Sequence, residues 1–303
     1  MKTLVTGALG ATEEELNMLR SAGLDITIHP DERQPVDHPD QYETVICNGL
    51  FLHNDISAFT NLRYVQLTST GYDRVPLDYI QAHGIQIYNA SGVYSVPMAE
   101  WTIMRILELY KNAARLFANQ AAHMWEKDRS WQELTGKTAC IIGFGAYGQQ
   151  VAKRLKAFDV QILAVNRTMK ASPFVDGFYP LEQLDFCLSQ ADIVILAIAL
   201  TDKTRNLLSK KRIAAIKPGA ILINAARGGL IDEAALAEAL KSGYIAGAAL
   251  DVFANEPLSK DSPLWNTDTV LISPHNSFVG ANNHSRLIQC ITANLSLPEC
   301  YHE

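Results

Sequence analysis

The chain has 303 residues, of which 48% are hydrophobic and 19% charged, and a formal net charge of −6. At roughly 100–200 residues per domain this length favours two domains, and the composition argues for large cores and against a disordered chain. With 26 Lys+Arg against 32 Asp+Glu, no basic surplus is available for a nucleic-acid backbone, although a local pocket for one small anion is compatible with that balance.

The opening segment, MKTLVTGALGATEEEL, does not read as a secretory leader, because its apolar run is short and Glu13, Glu14 and Glu15 follow. No window of about 18–20 apolar residues appears, so no membrane span is expected. Cys47, Cys140, Cys187, Cys290 and Cys300 are scattered and lack C-x-x-C pairing. That pattern argues against disulfides and zinc, and for reduced thiols in the cytoplasm. None of them has an activating partner in sequence.

KTLVTG reads as a strand. GALG, residues 7–10, lacks a third glycine and a phosphate-loop lysine, so it reads as a strand-to-helix turn. Thr12 and Glu15 form a T-x-x-E capping box before a helix that should stop at Gly23. LDITIH, TVICN, YVQLTS and IQIYNA are further β-rich runs separated by turn or helical segments. Such alternation predicts a parallel sheet with helices on both faces.

From Pro97 the texture changes. MAEWTIMRILELYKNAARLFANQAAH, residues 98–123, has apolar residues at helical spacing and predicts one long helix with Pro97 in its first turn. The polar segment after it, MWEKDRSWQELTGK, embeds Trp125 and Trp131. It reads either as a surface loop anchored by two rings or as an arm that docks on a second subunit. Beyond it, TACII, VQILAV, DIVILAIAL, AILINAA, GAALDVF and VLISP alternate with helical segments and predict a second doubly wound sheet.

Gly143, Gly145 and Gly148 form G-x-G-x-x-G between TACII, a strand, and AYGQQVAKRLKAF, a helix. In that context the spacing has a physical purpose. Gly143 makes the tight turn, Gly145 lets a pyrophosphate approach the backbone, and Gly148 lets helix pack on strand. Ala146 and Tyr147 complete the loop, and the helix N-terminus offers free N–H groups to an anion. About 20 residues beyond such glycines, an Asp or Glu usually accepts from a ribose 2′-OH. Here Asn166 stands 18 residues after Gly148, and Arg167, Thr168 and Lys170 follow. An acid would repel a 2′-phosphate, whereas Arg167 can fork onto it and Thr168 can donate a hydroxyl. The pattern therefore predicts NADP(H) in preference to NAD(H); the alternative is that Arg167 and Lys170 are ordinary surface cations.

NAARGGLIDEAALAEAL (224–240), GAALDVFANEPL (247–258) and ISPHNSFVG (272–280), taken with the glycine motif, resemble the D-isomer-specific 2-hydroxyacid dehydrogenases. The resemblance runs from about residue 40 to near the C-terminus and is strongest over 134–280. It implies that Arg227, Glu256 and His275 are the catalytic residues. Arg227 would pair with a substrate carboxylate, and His275 would give a proton to the keto oxygen while Glu256 holds its ring. It further implies that Asp251 contacts the nicotinamide carboxamide and that Asn224 and Ala225 lie near the cofactor, as do Arg227 and His275. Ser69, Thr70 and Gly71, in LTSTGYDRVP, match the family's substrate loop, whose backbone N–H groups hold the carboxylate.

The implied fold is two doubly wound parallel-sheet domains. A flavodoxin-like substrate domain would comprise residues 1–96 plus 281–303, and a Rossmann cofactor domain residues 97–280, with a cleft between them. The implied activity is NADPH-dependent reduction of small 2-oxo acids to D-2-hydroxy acids, by a homodimer without nucleic-acid, membrane or metal partners. Glyoxylate, hydroxypyruvate and bulkier branched or aromatic 2-oxo acids are candidates. A phosphorylated substrate is disfavoured, since the expected cleft segments show no cluster of cations. Leu50, Phe51, Tyr72, Tyr94 and Phe278 flank that cleft and either line a substrate side-chain pocket, pack as core or lie on the surface. The rival expectation is an NAD(P)-sensing, corepressor-like binding protein on the same fold.

Overall fold

The computed structural model describes residues 1–169 and 171–295; Lys170, Cys300 and the rest of 296–303, which the sequence reading also touched, lie outside the described residues. The chain forms two compact units, one of residues 1–93 with the returning C-terminal segment from 281, the other of residues 94–280.

The first unit holds β1 (Lys2–Thr6), β2 (Asp25–His29), β3 (Thr44–Cys47), β4 (Tyr64–Leu67) and β5 (Gln86–Tyr88), in the order β2-β1-β3-β4-β5. All pairings are parallel. This is the flavodoxin-like order, with its switch point between β1 and β3. Helix α1 (Glu13–Ser21) starts on the expected box: Thr12 accepts from Glu15 N, and the Glu15 carboxylate accepts from Thr12 N. It ends before Gly23, whose φ of +93° an L side chain rarely adopts. A short α2 (Leu77–Ala82) leads into β5. Every residue of β3 is buried, as a strand covered on both faces requires.

The second unit opens with α3 (Ser95–Tyr110) and α4 (Ala113–Ala121). The single helix expected over 98–123 is thus broken. Asn112 sits between them in the left-handed conformation, which Asn tolerates better than most residues, and its carboxamide bonds to Asp128 at 3.2 Å. Then come β6 (Thr138–Ile142), α5 (Ala146–Lys156), β7 (Gln161–Val165), β8 (Gly177–Tyr179), α6 (Leu184–Gln190), β9 (Ile193–Leu196), α7 (Lys210–Ile213), β10 (Ile221–Asn224), α8 (Glu233–Lys241), β11 (Gly247–Leu250) and β12 (Val270–Ile272). The sheet is seven-stranded and parallel, ordered β12-β11-β10-β9-β6-β7-β8, with its switch point between β6 and β9. Two cores, one on each face, bury β6, β9, β10 and β11. Their near-continuous Ile, Val, Leu and Ala runs are what a doubly covered parallel sheet demands.

The chain then returns to the first unit as α9 (Asn283–Leu295), which buries Leu287, Ile288 and Ile291. Its His284 meets Glu15 at 2.7 Å, and Arg286 donates to the Val93 carbonyl at 2.9 Å. Among the described residues no helix is long and apolar enough to cross a membrane.

Candidate functional site

In the second unit the glycine loop joins β6 to α5, beside the switch point. Gly143 has φ +98°, and a Cβ there would meet the Ala197 carbonyl oxygen at 2.4 Å. A Cβ on Gly148 would meet the Gly143 oxygen at 2.3 Å, so both positions need glycine because backbone lies against them. Gly145 differs: it caps α5, and nothing lies within 4 Å of its hypothetical Cβ. Open space in front of a helix N-terminus fits a diphosphate. Ala146 and Tyr147 form the first turn. The Tyr147 side chain turns inward, its hydroxyl 2.6 Å from Thr102, and burial pushes that hydroxyl's pKa well up.

Asn166 follows β7, and both ends of its carboxamide are engaged. Oδ1 accepts from Phe144 N at 3.4 Å, and Nδ2 donates to the Thr168 carbonyl at 2.7 Å. The neutral amide therefore closes the turn, which a carboxylate, having no donor, would not do. Arg167 and Thr168 are exposed beyond it, and Arg167 has no carboxylate partner among the described residues.

Arg227, Glu256 and His275 follow β10, β11 and β12, three neighbouring strands, so all three lie beyond the carboxyl edge of the sheet. That edge is where open α/β sheets bind ligands. Asn224 shapes the first turn: it is fully buried, donates to the Arg227 carbonyl at 3.0 Å and accepts from Ala226 N at 3.0 Å. Arg227 donates to the Ala226 carbonyl at 2.8 Å, and Ala225 is buried beneath. Gly228 lies flat against the next loop; a Cβ there would fall 1.9 Å from the Phe253 carbonyl carbon. Glu256 Oε2 faces His275 Nδ1 at 2.7 Å, while Glu256 Oε1 accepts from Phe253 N at 3.0 Å. A carboxylate only accepts, so Nδ1 carries the hydrogen and Nε2 is the ring nitrogen left for chemistry.

Asp251, fully buried, holds the loop that presents His275. Its Oδ1 accepts from Ser273 Oγ at 2.5 Å and Asn276 N at 3.0 Å, and Oδ2 from Ser277 N at 2.9 Å. Its carbonyl also accepts from His275 N at 2.8 Å. Sequence reading did not find this positioning set; D-V-F followed by S-P-H-N-S was its only trace. His275 has φ +52°, a strained backbone those bonds sustain. Phe278 stacks edge-on to Tyr94, with centroids 5.8 Å apart, and lies 6.3 Å from the His275 ring. An aromatic wall therefore stands beside the imidazole.

Ser69, Thr70 and Gly71 belong to the first unit, in the loop after β4. The Ser69 carbonyl accepts from Ala90 N at 2.9 Å and the Thr70 carbonyl from Asn89 Nδ2 at 2.8 Å. Leu50 is core of that unit, and Phe51 packs edge-on against Phe59 at 5.5 Å. Tyr72 is partly exposed, and partial burial raises its hydroxyl pKa.

A seven-stranded Rossmann sheet with a glycine loop at its switch point, and an Arg, Glu and His at its carboxyl edge, defines a dinucleotide-binding α/β protein. The family model for "D-isomer specific 2-hydroxyacid dehydrogenase, NAD binding domain" matches residues 103–277, and the chain belongs to that family. It is 31% identical to a D-3-phosphoglycerate dehydrogenase of Archaeoglobus fulgidus over 91% of this chain and 53% of that one. The chain spans about half the length of such curated relatives. Among solved structures it resembles a glyoxylate reductase from Paecilomyes thermophila (TM-score 0.84, 27% identity, 97% of this chain and 94% of that one). It also resembles a D-isomer specific 2-hydroxyacid dehydrogenase from Xanthobacter autotrophicus in complex with NADPH and MES (TM-score 0.78, 28% identity, 96% and 95%).

Proposed function

We propose that this protein is an NADPH-dependent reductase that converts small 2-oxo acids to D-2-hydroxy acids, acting as a homodimer in the cytoplasm. The observation that carries the reading is the Glu256–His275 pair at 2.7 Å, held beside Arg227 on adjacent strand ends in the unit that bears the glycine loop.

Bound with its diphosphate at the N-terminus of α5, the cofactor would supply a hydride to the keto carbon. Gly145 leaves room there and Ala146 opens the helix behind it, Asn166 keeps the turn after β7 closed, and Arg167 and Thr168 would receive a 2′-phosphate. Arg227 pairs with the substrate carboxylate and polarises the keto oxygen; backbone N–H groups of Ser69, Thr70 and Gly71 bind the same carboxylate. His275 delivers the proton from Nε2 to that oxygen, and Glu256 stabilises the charged ring and fixes its orientation. Asp251, its carboxylate buried and engaged by Ser273, Asn276 and Ser277, holds the His275 loop beside which the nicotinamide would lie. The Tyr94–Phe278 wall favours an apolar or very small substituent on the 2-oxo acid.

Steady-state oxidation of NADPH and of NADH with a panel of 2-oxo acids tests this. The expected result is turnover with short or apolar 2-oxo acids and a higher kcat/KM with NADPH. No consumption with any member would replace the enzyme by a dinucleotide-sensing binding protein.

A further inference from the structure

We infer that Glu32 is a built-in anion: its carboxylate fills a nest at the switch point of the first unit's sheet and thereby positions the substrate loop. The positioning role rests on Ser69, Thr70 and Gly71 acting as proposed above; the nest does not.

Open doubly wound sheets take their ligands in the crevice outside the carboxyl ends of the strands, where the strand order reverses. In the first unit that reversal lies between β1 and β3. The loop that follows β1 is GALG, residues 7–10, and the backbone of the loop after β2 crosses directly over it. A Cβ on Gly7 would fall 2.1 Å from the Pro30 carbonyl oxygen, so the crossing needs glycine there. Two residues further along, the crossing segment delivers Glu32 into the crevice.

There the side chain is received as a bound anion would be. Oε1 accepts at 2.6 Å both from Thr6 Oγ1, in the last residue of β1, and from Asn48 N, in the first residue after β3. Oε2 accepts from Gly49 N at 2.7 Å. Bonds this short are of the charge-assisted kind. Among the described residues no Lys, Arg or His side chain pairs with Glu32, and its neighbours Asp31 and Arg33 satisfy each other at 2.9 Å. One hydroxyl and two successive backbone N–H groups therefore carry the charge, which is how an anion-binding nest is built.

The nest borders the substrate loop. Thr68 N donates to the Cys47 carbonyl at 2.9 Å, so the residue before Ser69 hangs on the residue before Asn48. Gly49 is buried, and a Cβ there would have Glu32 Oε2 at 3.5 Å and Arg74 Cδ, from the LTSTGYDRVP segment, at 3.9 Å. Asn54 fastens the other side: Oδ1 accepts from Val36 N at 3.0 Å, and Nδ2 donates to the Glu32 carbonyl at 3.2 Å. Without the carboxylate, the donors of Thr6, Asn48 and Gly49 lose their acceptor, and the loops after β3 and β4 lose their common support. With it, the switch-point nest is already full, and a substrate carboxylate is received one strand over, at the loop after β4.

Glu32→Ala in the full chain tests this, because it removes a group the size of acetate. The KM for a 2-oxo acid should rise by about 10- to 100-fold, the worth of a hydrogen bond to a carboxylate lost from a displaced loop. The kcat and the affinity for NADPH should change little, and Tm should fall. Acetate, but not chloride at equal ionic strength, should move KM and Tm back toward the wild type. Each value is read against the wild type in the same acetate, since acetate also competes for the substrate loop. Glu32→Gln fills the space, so it should show a smaller rise in KM that acetate does not correct. If Glu32→Ala folds only in acetate, that dependence supports the nest; if it folds in neither salt, the KM of Glu32→Gln decides. A wild type inert toward every 2-oxo acid overturns the reductase reading, and the acetate dependence of Tm then judges the nest by itself. An unchanged KM in either variant, or losses in Glu32→Ala that acetate leaves in place, overturns the inference.

Discussion

Glu256 grips His275 with one oxygen and its own loop with the other: Oε2 lies 2.7 Å from the imidazole Nδ1, and Oε1 accepts from Phe253 N at 3.0 Å. The ring of one strand-end loop is therefore oriented by a carboxylate pinned in the loop of the neighbouring strand. Arranged this way, the pair sets both which nitrogen carries the hydrogen and where the other nitrogen points.

Removing the imidazole should separate binding from chemistry. His275→Ala should lower kcat by about 10²–10⁴-fold, the usual worth of a positioned proton donor, and leave NADPH binding near the wild-type value. Glu256→Gln should lower it by less, since the ring stays but loses its charge partner. Steady-state kinetics with fluorescence titration of the cofactor measures both. Full turnover in His275→Ala would show that the proton comes from elsewhere.

Cofactor choice should move with Arg167. Losing one or two charge-assisted hydrogen bonds in Arg167→Asp should weaken NADP(H) binding by about 10- to 100-fold or more and leave NAD(H) little changed. Equilibrium titration with each cofactor reads the ratio. If NADP(H) affinity survives the substitution, Arg167 is an ordinary surface cation.

Asp251→Ala should cost both stability and turnover. It strips acceptors from the Ser273 hydroxyl and the Asn276 and Ser277 N–H groups at a fully buried position. Each buried donor left unpaired costs about 1–3 kcal/mol, so denaturant unfolding should show a loss of several kcal/mol. A variant with wild-type stability would mean that the loop finds other partners.

Much of this was legible along the chain. Strands such as IVIL and ILIN announce themselves because burial on both faces demands unbroken apolar runs, and the family motifs mark Arg227, Glu256 and His275. Contacts that join distant segments were not legible. Nothing in the sequence says that Asp251 holds residues 273, 276 and 277, or that the Asn166 amide closes its own turn, because both depend on how loops meet in space. The α3–α4 break was missed for a local reason. Helical periodicity continues through Asn112, and only its left-handed φ, held by Asp128 sixteen residues on, reveals the stop.

Gly228→Ala should displace Arg227 without touching it. The added methyl would fall 1.9 Å from the Phe253 carbonyl carbon, and backbone cannot yield as a flexible side chain can. The turn must shift away from the loop that holds Glu256, so kcat/KM for a 2-oxo acid should fall while cofactor affinity changes less. Misplacement of about 1 Å can cost about 10²-fold in rate. Wild-type kinetics in this variant would show that the turn is not what positions the guanidinium.

Acid should loosen the second unit at Asp192. This carboxylate sits just before β9 and accepts from Thr138 N at 2.9 Å and Lys217 Nζ at 2.7 Å. Partial burial acts to raise its pKa, but the Lys217 and Thr138 hydrogen bonds outweigh that and hold it below the usual carboxylate range. A folded-state value below the unfolded one means that the stabilisation is fully present above the unfolded pKa, near 3.9, and is lost as pH falls through the folded value. Asp192→Asn should therefore cost about 1 kcal/mol at neutral pH, a discounted figure for a half-screened pair, and progressively less in acid. Thermal unfolding of both chains from neutral pH downward tests the sign: the gap between them must narrow below pH 4, and a gap that stays constant or widens there would remove Asp192 from the acid response.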